Sequence, residues 1–220
     1  MKKFPTDEFD SFVFITMINQ TKVLLVTKDG QITGEFDNSL FITNHETLDV
    51  FQLSDLTSFS TVQIHSKGLR VITADWVSQK NWSREDYHGS IVACTSNKTQ
   101  IVVAYDDKVI TLFEANEFCH PTERSSMRMD SIEGTITALA LPQPPEGIRA
   151  AKWLAVASDT MTVFIISLGG YTSESTEKND DDMLSINQVW KVTARKVVQD
   201  PISSLSFLHV SGIGHILHIG

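Results

Sequence analysis

Apolar residues along this chain come in short, β-branched runs separated by turn residues, and one arrangement of them occurs twice at nearly the same spacing. Runs at 91–93 and 100–105 are followed, across the dipeptide Asp106-Asp107, by a third at 108–113. The arrangement returns at 136–141, 152–157 and 162–168, after a Pro-rich loop and around the turn Ser158-Asp159-Thr160. Ile91 and Ile136 are 45 residues apart, close to the roughly 40–45 residues of one four-stranded propeller blade. A third copy begins at Ile202, 66 residues after Ile136. The polar stretch 169–182 accounts for the longer interval, since surface loops absorb insertions at small entropic cost.

The same texture runs upstream. Segments 11–18 and 22–27 flank Asn19-Gln20-Thr21 as a hairpin, and Asp29-Gly30 is a turn leading into a strand at 31–36. Strands at 39–43, 47–53 and 60–66 follow. Val62, Ile64, Leu69 and Val71 alternate with Gln63, His65, Arg70 and Ile72 around Lys67-Gly68, the period-two signal of strands with one packed face. The nearest approach to a helix is 182–192, where Met183, Ile186, Val189 and Trp190 fall at helical spacing; a strand over 186–192 fits equally and suits its surroundings better. Pro142-Gln143-Pro144-Pro145-Glu146-Gly147 cannot continue a regular element, and 169–182 is too polar to offset its ordering entropy, so mobility is expected there. The pattern predicts an all-β protein of β-propeller blades, WD40-like four-stranded antiparallel sheets. An incomplete ring is expected, because the sequence stops inside the apolar run 214–220.

Composition narrows the function more than the fold. With 220 residues, 41% hydrophobic and 20% charged, the chain is ordinary for a soluble globular protein and has room for about five blades. Its net charge is −9, from 27 acidic and 18 basic residues, and Lys2-Lys3 and Arg195-Lys196 are its only adjacent basic pairs. Direct nucleic-acid binding needs clustered cations and is not expected here. Asp7, Glu8 and Asp10 interrupt any signal-peptide core, and no window has the roughly 18 apolar residues of a membrane span. An intracellular setting follows, in which the sequons at Asn19, Asn81 and Asn97 are silent.

No constellation carries catalytic chemistry. His215 and His218 are three apart, so on a strand they face opposite ways and cannot share a metal. Asp106-Asp107 stands where a hairpin turn is needed, and Asp180–Asp182 lacks the glycine and terminal glutamate of a calcium loop. Cys94 and Cys119 match no metal or redox spacing. Of four tryptophans, Trp153 is expected in the core and Trp82 as a blade-packing residue, with an exposed partner anchor as its alternative; Trp76 and Trp190 are further bulky anchors. No catalytic, cofactor-binding or metal residue is assigned, and the residues that contact partners are left unknown.

The ordered succession of motifs resembles one superfamily. Gln20-Thr21-Lys22-Val23-Leu24, the run from Val62 to Ile72, Trp82, and Ser90-Ile91-Val92-Ala93-Cys94 followed by Asn97 and Gln100-Ile101-Val102-Val103-Ala104 carry the likeness. It is similar to the large subunit of damaged-DNA-binding protein and to its relatives in branch-point splicing and in cleavage and polyadenylation, which are three-propeller scaffolds. The first hairpin and the Ile-Val-Ala-Cys strand look nearer to the damaged-DNA branch. The Pro-Pro loop with Trp153-Leu154-Ala155-Val156 and Ile165-Ile166-Ser167-Leu168 looks nearer to the splicing branch. The resemblance implies that residues 1–36 are closing strands of a preceding propeller and 37–220 the opening blades of a second. It implies a non-enzymatic nuclear scaffold, with the cytoplasm as an additional location. The first reading is an adaptor of a cullin-four-type ubiquitin ligase in DNA repair or chromatin regulation, with a cullin and substrate receptors as partners. The alternative is a scaffold of a splicing or 3′-end processing complex, with RNA-processing subunits as partners.

Overall fold

A computed structural model describes residues 12–36, 39–55, 58–73, 75, 79–85, 88–169, 190–210 and 214–220. The expectations placed on Trp76, on Asp180–Asp182 and on most of 169–182 lie outside these residues. The described elements are all strands. A three-stranded sheet holds β1 (Phe12–Met17), β2 (Gln20–Val26) and β3 (Ile32–Glu35). Three four-stranded sheets follow in simple meander order. The first holds β4 (Thr47–Ser54), β5 (Phe59–His65), β6 (Gly68–Thr73) and β7 (Gln79–Trp82). The second holds β8 (Ile91–Ser96), β9 (Gln100–Tyr105), β10 (Val109–Ala115) and β11 (Pro121–Arg128). The third holds β12 (Ile136–Ala140), β13 (Trp153–Ser158), β14 (Thr162–Ser167) and β15 (Lys191–Val197). A two-stranded sheet of β16 (Leu205–Val210) and β17 (Gly214–Ile219) ends the series, and among the described residues the sheets do not close a ring.

The hydrophobic core lies in the seams between successive sheets. Alternate residues of β9 divide between two seams: Ile101, Val103 and Tyr105 pack with Val62, Ile64 and Leu69 of the preceding sheet, while Val102 and Ala104 pack with Leu154, Val156 and Phe164 of the following one. Phe12 and Val23 meet Leu40, Phe41 and Ile72, and Ala157 and Val163 meet Ile202, Leu205 and Leu217. A strand covered on both sides must be apolar on both faces, which produces continuous runs instead of alternation. The period-two reading of 60–72 is therefore corrected: Gln63, His65, Arg70 and Ile72 are as buried as the residues between them.

Burial obliges those polar side chains to find partners. Gln63 accepts from the Ile42 N–H at 2.8 Å and donates to the Ile42 carbonyl at 2.7 Å. Arg70 donates to the carbonyls of Leu40, at 2.9 Å, and Ser39, and to Asn81 Oδ1 at 2.8 Å. Segment 39–43 is not the strand expected of it: side chains of β5 and β6 hold its backbone, and Leu40 and Phe41 still reach the core.

The turns also differ in detail. The first hairpin closes over Ile18-Asn19, with Asn19 left-handed at φ 59, so Gln20 and Thr21 belong to β2. Asp106-Asp107 extends to a three-residue loop ending at Lys108, left-handed at φ 66, and Met161 at φ 56 plays the same part after Ser158-Asp159-Thr160. Ile202 is buried in its seam but precedes the strand that begins at Leu205.

Candidate protein-docking site

The β12–β13 connection, residues 141–152, is tied to the preceding sheet at several points. Asn97 Nδ2 donates to the Pro142 carbonyl at 3.2 Å and to Gln100 Oε1 at 3.0 Å. Thr99 Oγ1 donates to the Arg149 carbonyl at 2.5 Å, and Arg149 Nη2 donates to the carbonyls of Ala115, at 2.9 Å, and Asn116, at 3.1 Å. Gln100 holds the backbone of Ala151. Between these ties the Ile148 N–H donates to the Pro145 carbonyl at 3.0 Å, closing a turn whose third residue, Gly147, has φ 79. That left-handed position is one glycine occupies without steric cost. Three prolines, a turn and ties at both ends make this loop a fixed shape.

Against it lies a mostly apolar, half-open groove of about 190 Å³, walled by Pro142, Pro144, Pro145, Ile148 and Trp153. The last wall, His215, comes from the next sheet, and its Nε2 donates to the Gln143 carbonyl at 3.1 Å. Trp153 is 42% exposed and Ile148 48% exposed. The expectation that Trp153 is core is thus corrected. It is the first residue of β13, where the strand leaves the seam, and Leu154 to Ser158 behind it are buried. Lys152, exposed and without an ion pair among the described residues, is the one formal charge on the lining.

Other groups singled out in the sequence hold structure. Trp82 packs edge-on against Phe113, ring centroids 4.6 Å apart, and so joins two sheets. Trp190 donates from Nε1 to Ser125 Oγ at 2.9 Å. His215 stands opposite His209 and His218 opposite Ser206, so the two histidines lie on opposite faces of β17. Asp107 pairs with Arg84 at 3.0 Å, and Asp106 accepts from the Ser90 N–H at 3.0 Å. Burial, helped by the nearby Asp49 charge, pushes the Cys94 thiol up to about 12, and burial raises that of Cys119. Neither supplies a thiolate near neutral pH. No group of three metal-ligating side chains occurs among the described residues.

The stacked meanders have the order and spacing of propeller blades, and comparison with known proteins agrees. Over residues 1–220 the sequence matches the profile of the RSE1/DDB1/CPSF1 second beta-propeller. The chain belongs to this family. Among curated relatives, this member of the RSE1/DDB1/CPSF1 family is 33% identical over 162 residues to pre-mRNA-splicing factor rse1 of Neurospora crassa, covering 74% of this chain and 12% of that protein. It is 30% identical over 210 residues to spliceosome-associated protein 130 A of Arabidopsis thaliana, covering 96% and 15%. It is 31% identical over 171 residues to splicing factor 3B subunit 3 of Drosophila melanogaster, covering 76% and 13%. The chain thus spans about an eighth of the length of the curated relatives it matches. Among solved structures, BBS1N in complex with ARL6DN is similar in fold alone, with a TM-score of 0.56 at 12% identity, covering 98% of this chain and 62% of that one.

Proposed function

We propose that this chain is a propeller-blade segment of a non-enzymatic scaffold in a pre-mRNA splicing complex, acting in the nucleus. One observation carries the reading: the relatives just described are splicing factors or a spliceosome-associated protein, within a family whose name also includes DDB1 and CPSF1. The ubiquitin-ligase and DNA-repair reading finds no support among those relatives, and the splicing alternative takes its place.

The physical character of the chain fits such a role. Its charge of −9 disfavours direct contact with RNA phosphates, whereas its fixed loops and exposed apolar groove suit contact with protein subunits. The proposal retains a division at residue 36, with closing strands of a preceding propeller before it and opening blades of a second after it. Support comes from β1–β3 forming a separate sheet, although Phe12 and Val23 share a core with Phe41 and Ile72.

Depletion of the protein that carries this chain, followed by RNA sequencing, tests the reading. Accumulation of unspliced introns is the expected result. Normal splicing together with stabilised ubiquitin-ligase substrates would return the protein to the damaged-DNA branch.

A further inference from the structure

We propose that the groove between the Pro-rich loop and His215 docks a short linear peptide segment of a partner protein, one that carries a single large apolar side chain beside a carboxylate. The proposal goes beyond the splicing reading and stands on the groove alone. Size sets the first limit. A cavity of about 190 Å³ falls below the roughly 300 Å³ at which small-molecule sites begin. It is of the size that one or two large side chains fill.

The walls set the second. Pro142 and Pro145 present rigid apolar rings, Trp153 offers an exposed aromatic face, and the exposed Ile148 adds to the apolar wall. Tryptophan is one of the side chains enriched at the energetic centres of protein interfaces. The ties from Asn97, Thr99, Gln100 and Arg149 hold the loop before any partner arrives. Little ordering entropy is then left to be lost on binding.

Charge sets the third. In a chain of net charge −9 the lining has one formal charge, and it is the cation Lys152. An acidic group beside the apolar anchor is complementary to it, whereas a basic anchor segment is repelled. A second copy of this chain fits poorly, because two bodies of charge −9 repel each other. A lone lysine on apolar walls also lacks the several cations that a nucleic-acid backbone requires.

The test is selection of a random twelve-residue peptide library displayed on phage against the folded 220-residue chain, with binding of selected peptides measured by fluorescence polarisation. Enriched peptides should place an aromatic or large aliphatic residue within two positions of Asp or Glu. Their affinity should fall at least about tenfold on Trp153→Ser and about fivefold on Lys152→Glu. Lys152→Glu should also admit peptides with Lys or Arg in place of the acids. Both side chains are solvent-exposed, and unchanged circular dichroism and melting of the variants confirm that the fold is intact. Failure to enrich any motif, enrichment indifferent to charge, or binding retained by Trp153→Ser would overturn the proposal.

Discussion

The Ala151 N–H donates to Gln100 Oε1 at 2.6 Å, and the Ala151 carbonyl accepts from Gln100 Nε2 at 3.5 Å, so one buried amide holds both main-chain groups of a residue in the β12–β13 connection. Gln63 does the same for Ile42. In each case a side-chain amide stands in for a ladder partner where the chain approaches a strand, and satisfies both the N–H and the carbonyl of that residue.

Gln100→Leu keeps most of the volume but leaves the Ala151 N–H without its partner and removes an acceptor from Asn97. An unsatisfied buried group costs about 1–3 kcal/mol, and at this chain length each kcal/mol lowers Tm by roughly 2–4 °C. A fall of about 2–12 °C in thermal melting is expected. A variant that melts with the parent would show that the tie contributes nothing.

Trp82 and Trp153 should part company on truncation. Trp82→Ala removes a ring packed edge-on against Phe113 in a seam and should cost about 3 kcal/mol in urea unfolding. Trp153→Ala removes a ring that is 42% exposed and should cost less than about 1 kcal/mol. Equal losses would contradict the assignment of one to packing and the other to display.

His65 makes stability depend on acid. Burial, then the charges of His45 and Arg70, lower its pKa from 6.5 to about 4, and the His45 ring stacks on it with centroids 5.4 Å apart. The unfolded chain binds this proton near pH 6.5 and the folded chain only near 4. The contribution is therefore complete above pH 6.5 and is lost as pH falls from there through 4, amounting to at most about 3 kcal/mol. Urea midpoints measured across that window should decline for the parent and decline less for His65→Gln. Parallel curves would remove His65 from the account.

The two cysteines should resist alkylation. Cys119 is buried, with Sγ donating to the Ser58 carbonyl at 3.1 Å, and Cys94 is held as a thiol by its surroundings. Iodoacetamide at pH 8 should label them only as fast as the chain unfolds, with rates rising in urea. Rapid labelling of the native chain would contradict the packing described.

What the sequence disclosed follows from what each strand must satisfy. The inner strands β8, β9, β10, β12, β13 and β14 are pressed between neighbouring sheets, so their apolar runs stand out. The outer strand β11 is mostly exposed, reads Pro-Thr-Glu-Arg-Ser-Ser-Met-Arg and carries no hydrophobic signal; β7, Gln-Lys-Asn-Trp, gives no more. The buried Gln63 and Arg70 look like a solvent face in sequence because a polar residue in an alternating strand usually is one. Only the neighbouring backbone explains them. The groove was the least visible feature. Its prolines read as a break between strands, Trp153 as core, and His215 lies 72 residues from its hydrogen-bond partner Gln143.

The central claim, a scaffold that works in splicing, is tested most directly by tagging the protein that carries this chain in its own cells and identifying its stable partners by quantitative mass spectrometry. The account expects pre-mRNA splicing subunits to be the most enriched proteins, in near-stoichiometric amounts and insensitive to nuclease. Enrichment of a cullin and ubiquitin-ligase receptors, with splicing subunits absent, would contradict it.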